Sequence, residues 1–165
     1  MNREEQNLLL SQEHAEAIRY MKNAEDVLQK AKKDGNNYTD KKYVRMACGT
    51  AYSGVLVALD AWFAIKGIPK PSKKQRKSIG YYMSNIAQID KKLAANLEDV
   101  YSILHLSGYY DGIHSTKIIA DGFEVAYEII EKIKPEQFVE VKETKGQGLK
   151  RVLNNLLISA AVMFR

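Results

Sequence analysis

The sequence predicts an all-α protein: an antiparallel up-and-down bundle of four to five main helices, followed by a further C-terminal helix. Three observations lead there. Apolar residues recur at spacings of three and four along most of the chain. Residues that cap or break helices gather in short clusters between these runs. The connections left over are short, and short connections make sequential helices antiparallel neighbours. With 165 residues, 45% hydrophobic and 27% charged, the chain suits one domain, 1–165, with a sizeable core.

The first helix opens at Asn2-Arg-Glu-Glu5, an Asn variant of the capping box. Ala17, Met21, Ala24, Leu28 and Ala31 mark its buried face, with Ile18 and Val27 beside them. It is expected to run to Lys33, with a break at Ser11 allowed, and to stop at Asp34-Gly-Asn-Asn37. Thr39 is the expected cap of a second helix ending near Lys66, where Gly67, Pro69 and Pro71 forbid continuation. Ser72-Lys-Lys-Gln75 reads as the capping box of a third, whose face is Ile79, Tyr82, Met83, Ile86 and Ile89. Asp90 caps its continuation, with Leu93, Leu97, Val100, Tyr101 and Leu104 inward. Gly108-Tyr-Tyr-Asp-Gly112 reads as a turn-like break. Ser115 then caps a helix buried through Ile118, Ile119, Phe123, Ala126, Tyr127, Ile130 and Ile133, with Pro135 beyond its end. Residues 138–144 alternate briefly and suit a short extended piece. Leu149, Val152, Leu153, Leu156, Ala160, Met163 and Phe164 form the stripe of the last helix.

Composition excludes several classes. One cysteine, Cys48, rules out an internal disulfide, and no Cys/His cluster has metal-ligand spacing. His14, His105 and His114 are separated by 91 and 9 residues and have no cysteine nearby, so no metal is expected. No Walker-type or Rossmann-type glycine motif occurs, and no cofactor is expected. The polar, acidic start lacks the features of a secretory or transit signal, which makes the cytoplasm the expected compartment. Residues 46–65 contain one charge, Asp60, and are long enough to span a bilayer. A central Asp costs about 2.5–3.5 kcal/mol on insertion scales, so the expectation is a buried helix and no membrane partner.

The net charge of +5 is local. No Asp or Glu lies between Asp60 and Asp90, while Lys66, Lys70, Lys73, Lys74, Arg76 and Lys77 fall there. Without those six the remainder stands at −1. Lys70, Lys73, Lys74, Arg76 and Lys77 at a helix start form a candidate anion-binding patch for weak nucleic-acid or other polyanion contact. The plainer reading is a solvated helix end.

Asp60 raises the sharpest question, because it sits in VLVALDAWFAI, residues 55–65. On a helical wheel Gly49, Ser53, Leu56, Ala64 and Gly67 share its side, so a backbone should approach closely there. A buried carboxylate needs a hydrogen-bonding or cationic partner. Tyr81, Tyr82, His105 and Arg151 are candidates, and a polar tie within the bundle is favoured over a ligand contact. Asp60, His105, Tyr109, Tyr110 and Asp111 make the candidate polar site. Tyrosines at these spacings could stack bases, though core-edge packing is the commoner use.

Residues 14–134 resemble the HEPN superfamily of small helical bundles. The carrying pieces are AEAIRYMKNAEDVLQKAK, then YVRMACGTAYSGVLVALDAWFAIKGI with its small residues, then YYDGIHSTKIIADGFEVAYEIIEKI with its Tyr-Asp entry. The resemblance implies a four- to five-helix antiparallel bundle, a homodimer, and work beside nucleotidyltransferase-type partner proteins or as RNA-cleaving toxins. The ribonuclease members carry an Arg, four to six residues, then a His. No such spacing exists in this sequence; His105 is followed five residues on by Tyr110. Arg would grip a phosphate bidentately and His would move the proton, whereas Tyr is a poor base at neutral pH. The expectation is therefore a non-catalytic binding or accessory module. The alternatives are an RNA-directed nuclease with an unorthodox site and a purely structural homodimeric protein.

Overall fold

The computed structural model describes residues 2–71 and 77–134. These residues form a mostly helical, antiparallel bundle. Its elements are α1 (Arg3–Gln29), β1 (Lys33–Asp34), β2 (Asn37–Tyr38), α2 (Lys41–Ile65), α3 (Ile79–Ile86), α4 (Lys91–Val100), a π-helix (Tyr101–Asp111) and α5 (Thr116–Lys132).

The N-terminal capping box is present, with Asn2 Oδ1 accepting from the Glu5 N–H and Glu5 accepting from the Asn2 N–H. No break occurs at Ser11. The helix ends at Gln29, four residues earlier than the Asp34-Gly cluster suggests. The reason is Ala31, fully buried, whose carbonyl accepts from the Thr39 hydroxyl and the Thr39 and Asp40 N–H groups. Lys32 takes a left-handed φ of 51° to let the chain turn there. Thr39 is thus spent on α1, and the cap of α2 is Asp40, whose carboxylate accepts from the Lys42 N–H at 2.9 Å. Between them β1 and β2 form a two-residue antiparallel hairpin that the helical periodicity does not announce. It is strapped to the start of α5: the Tyr38 N–H donates to the His114 carbonyl, and the Thr116 N–H to that of Asn36.

The pairings of residues fix the helix directions. Gly54 of α2 meets Ala17 and Tyr20 of α1, while Ala31 meets Thr39. Cys48 meets Gly108 and Tyr52 meets Tyr101. Asn96 donates to Glu128, and Asp90 pairs with Lys132. Each set runs in opposite senses along its two helices, giving an up-down-up-down order of α1, α2, α4 with its π extension, and α5. Helix α2 is central and is long and apolar enough to cross a membrane by length and composition, but half of its most apolar window is buried against the bundle.

The core follows the predicted stripes, with Ala17, Met21, Ala24, Leu93, Leu97, Val100, Leu104, Ile119, Ala126 and Ile130 all buried. Ile89 and Ile118, expected inside, are exposed instead. Asp90 and Ser115 cap α4 and α5 as expected. The third helix opens later than the Ser72 box implies: Lys77 is not helical and Ser78 caps Ile79–Ile86. Ser72 to Arg76, the 138–144 piece, Arg151 and the 149–164 helix lie outside the described residues. The expected break at Gly108 is absent. The chain stays helical to Asp111 and turns only at Gly112, where φ is +69°.

Candidate functional site

The π-helix decides where the site residues fall. In an α-helix a residue five positions on lies about 140° around the axis. With i→i+5 bonding the wider turn brings positions four and five on back over the starting residue. Tyr101, His105, Tyr109 and Tyr110 therefore share one ridge. The imidazole of His105 stacks on Tyr101 at 5.2 Å and on Tyr109 at 5.9 Å between centroids, with interplanar angles of 27° and 15°. Tyr110 meets it edge-on at 5.1 Å. Tyr52 of α2 adds a fourth ring at 4.6 Å. Such offset and edge-to-face pairs are favourable through the ring quadrupoles.

The ridge grades from buried to open. Tyr52 is buried, which pushes its phenol up to about 12, helped by neighbouring Tyr101. His105 is half-buried, and that burial lowers its pKa, so it is neutral at pH 7. Tyr109 is 44% exposed and Tyr110 61%. These two tyrosines are not core-edge packing.

Two close approaches seat the ridge on α2. A Cβ on Gly108 would stand 2.5 Å from Cys48 Sγ, and one on Gly49 would stand 3.1 Å from the Tyr109 ring. Cys48 is fully buried, and burial pushes its thiol up to about 12, so it serves as an inert packing residue. At the end of the ridge the exposed Arg45 lies against Gly112, where a Cβ would come within 2.7 Å of its Nε. Arg45 went unnoticed in the sequence. Its signal was spacing: it precedes Gly49 by four and Ser53 by eight, on the same side of α2.

Asp60 belongs to a different centre. It is not deeply buried, since its side chain is 38% exposed. Its Oδ1 accepts from the Tyr82 hydroxyl at 2.8 Å, and its Oδ2 pairs with Lys77 Nζ at 2.5 Å. Burial and this carboxylate together hold the Tyr82 phenol well above its ordinary range. Of the other candidate partners, Tyr81 donates to the Pro69 carbonyl and His105 is held by rings. The close backbone approach expected along the Asp60 side is not seen among the described residues: Ser53, Ala64 and Gly67 are exposed, and Gly49 meets the ring of Tyr109 instead of a backbone. The five-residue polar site thus divides: His105, Tyr109 and Tyr110 come together, Asp60 stands apart, and Asp111 is exposed at the last position of the π-helix.

The anion-binding patch is also changed. Lys77 is committed to Asp60, Lys70 is exposed, and Lys73, Lys74 and Arg76 lie outside the described residues.

Among solved structures, a protein of unknown function from Dyadobacter fermentans is 40% identical, with a TM-score of 0.67 over 75% of this chain and 94% of that one. Comparison with the curated proteins gives no match. Residues 12–135 match the family described as a domain of unknown function, DUF5618, and span all the helices that build the ridge. The chain belongs to the DUF5618 family.

Proposed function

We propose that this protein is a non-catalytic binding module, HEPN-like in kind, whose working surface is the π-helix ridge and whose ligand is single-stranded nucleic acid. The observation that carries the reading is the pair Tyr109 and Tyr110, exposed yet braced against a neutral imidazole. Exposed rings held in place lose little freedom when a base stacks on them, and stacking tolerates any base. Arg45 at the end of the ridge supplies a planar cation for a phosphate. His105 has ring neighbours where a proton-transfer site would need a carboxylate or a second cation, so binding without cleavage is expected.

Fluorescence anisotropy with a labelled single-stranded oligonucleotide tests this. Tyr110→Ala should weaken binding by roughly 5- to 150-fold, the span of one lost stacking contact. Arg45→Gln should reduce the log–log salt slope by about 0.7. Unchanged affinity in Tyr110→Ala would defeat the proposal. RNA cleavage that His105→Ala abolishes would replace it with a catalytic one.

A second reading is favoured by Met46, half exposed and one turn from Gly49 on the same side of α2. An apolar side chain beside exposed tyrosines suits protein docking, whether to a second copy of the chain or to a nucleotidyltransferase-type partner. Light scattering of Met46→Lys against the parent separates this reading from the first, because nucleic-acid binding leaves the protein's own mass unchanged.

A further inference from the structure

The geometry points to a second binding site, away from the ridge, in the cavity between the last turns of α1 and the β-hairpin. Its ligand is a small ω-amino carboxylate, a linear molecule with an ammonium at one end and a carboxylate at the other. The cavity measures about 270 Å³ and is lined by Glu25, Leu28, Gln29, Lys32, Lys33 and Tyr38. That is room for roughly nine waters, or for one molecule smaller than a drug-sized ligand. Tyr38 is buried and Leu28 half-buried, which gives an apolar floor, while Gln29, Lys32 and Lys33 are exposed at the rim.

The walls are held in place. The Tyr127 hydroxyl donates to Glu25 Oε1 at 3.0 Å, and burial together with this carboxylate pushes the phenol up to about 12, so it stays a donor at neutral pH. Opposite, the Thr39 N–H donates to the carbonyl of Lys32, the residue with the left-handed φ of 51°, and the hairpin is bonded to His114 and Thr116.

Charge selects the occupant. Among the described residues, the half-buried Glu25 carboxylate has the Tyr127 hydroxyl but no cation beside it, although two ammonium groups line the same cavity. Neither Lys32 nor Lys33 meets a carboxylate among the described residues, and Lys33 Nζ lies over the Tyr38 ring at 5.5 Å. Opposite charges thus stand across one cavity without pairing. A molecule carrying both signs gives each end a charge-assisted hydrogen bond, and its apolar middle covers Leu28 and Tyr38. Spacing decides how far apart its charges lie. Glu25 and Lys32 are seven positions apart in sequence, about 10 Å at helical rise. An α-amino acid carries both charges on one carbon and is too short to bridge them. 6-Aminohexanoate, with a charge at each end of its chain, spans most of that distance, and the flexible side chains close the rest.

The test is an NMR titration of the 15N-labelled full chain with 6-aminohexanoate, its isomer 2-aminohexanoate, hexylamine and hexanoate. Saturable shifts at the amides of residues 25–38 are expected with 6-aminohexanoate, with residues 101–111 unmoved, which keeps this site distinct from the ridge. The three comparison compounds should each bind about tenfold more weakly or worse, one charge-assisted hydrogen bond being lost. Glu25→Gln keeps an acceptor for Tyr127 and removes the charge. It should weaken 6-aminohexanoate by a similar factor and leave hexanoate no weaker. Lys32→Gln with Lys33→Gln should do the same while leaving hexylamine no weaker. The absence of saturable shifts, shifts centred on residues 101–111, equal affinity for 2-aminohexanoate, or unchanged affinity in either variant would overturn the inference.

Discussion

Replacing Asp60 with alanine tests whether the carboxylate in the greasiest helix is a tie between helices. Two interactions are lost, and the structure weights them differently. The Tyr82 hydroxyl donates to Oδ1 at 2.8 Å, and Tyr82 is only 3% exposed, so its hydroxyl is left with little access to water. An unsatisfied buried donor costs about 1–3 kcal/mol. The Lys77 pair joins side chains that are 34% and 38% exposed, and such screened pairs are worth about 0.2–1 kcal/mol. Alanine returns a few tenths of a kcal/mol of helix propensity. The net expectation is a loss of about 1–3 kcal/mol, or several degrees in Tm for a domain of this size. Tyr82→Phe should cost about 1 kcal/mol. Because each change removes the same hydrogen bond, the double variant should be more stable than the sum predicts by about 1 kcal/mol. Lys77→Met should matter least, and only at low salt. Urea unfolding followed by circular dichroism at pH 7 measures all four. If Asp60→Ala lies within 0.5 kcal/mol of the parent (the usual range of an indifferent surface change), or if the two losses simply add, the tie is not there.

Gly108→Ala should destabilise the fold by about 1–3 kcal/mol despite the better helix propensity of alanine, because its Cβ would stand 2.5 Å from Cys48 Sγ; Cys48→Ala should recover part of that loss in urea unfolding. Burial lowers the pKa of His105, and that of His14 too, where it outweighs the opposing pull of Glu131. The folded chain therefore binds fewer protons than the unfolded one as pH drops below about 6.5, so stability present at neutral pH is lost as pH falls through the lowered folded values. The urea midpoint should decline on the acid side, and His105→Gln should flatten that decline; an identical acid limb in the variant would show that His105 is not desolvated. Native Cys48 should react with a thiol reagent only at the rate of unfolding, since its thiol is buried and pushed up to about 12; rapid native labelling would contradict the packing against Gly108.

The bundle was legible because its signals are local. Ala17, Met21, Ala24 and Leu97 follow the helical period, and Asn2, Asp90 and Ser115 are caps whose partners lie three residues on. What misled was longer in range. Thr39 has the chemistry of a cap, but the carbonyl of Ala31 claims its hydroxyl across the turn. Gly108 and Gly112 look alike in sequence; one is small so that Cys48 can approach, and only the other turns the chain. The candidate site was half legible. His105, Tyr109 and Tyr110 were named together, but π winding, which brings Tyr110 over His105, leaves no mark in residue type. Asp60 was singled out correctly as needing a partner, and Tyr82 was among those named. Its exposure was misjudged because Ser53 and Ala64, which flank it with small side chains, are themselves exposed.

The winding of residues 101–111 also bears on how such a chain tolerates changes in length. A helix bonded i→i+5 holds more residues per turn than its neighbours, so it can absorb an inserted residue without rotating the flanking helices. Here Asn96–Glu128 and Asp90–Lys132 pin the register before the segment, and the Asn36–Thr116 strap pins it after. Deleting one residue between Leu106 and Tyr109 would let the segment tighten toward α pitch between those fixed points, carrying Tyr110 off the imidazole while the core survived. In an alignment of family members, a one-residue gap at this point would thus separate chains that present the aromatic ridge from chains that keep only the scaffold, whatever residues fill the positions.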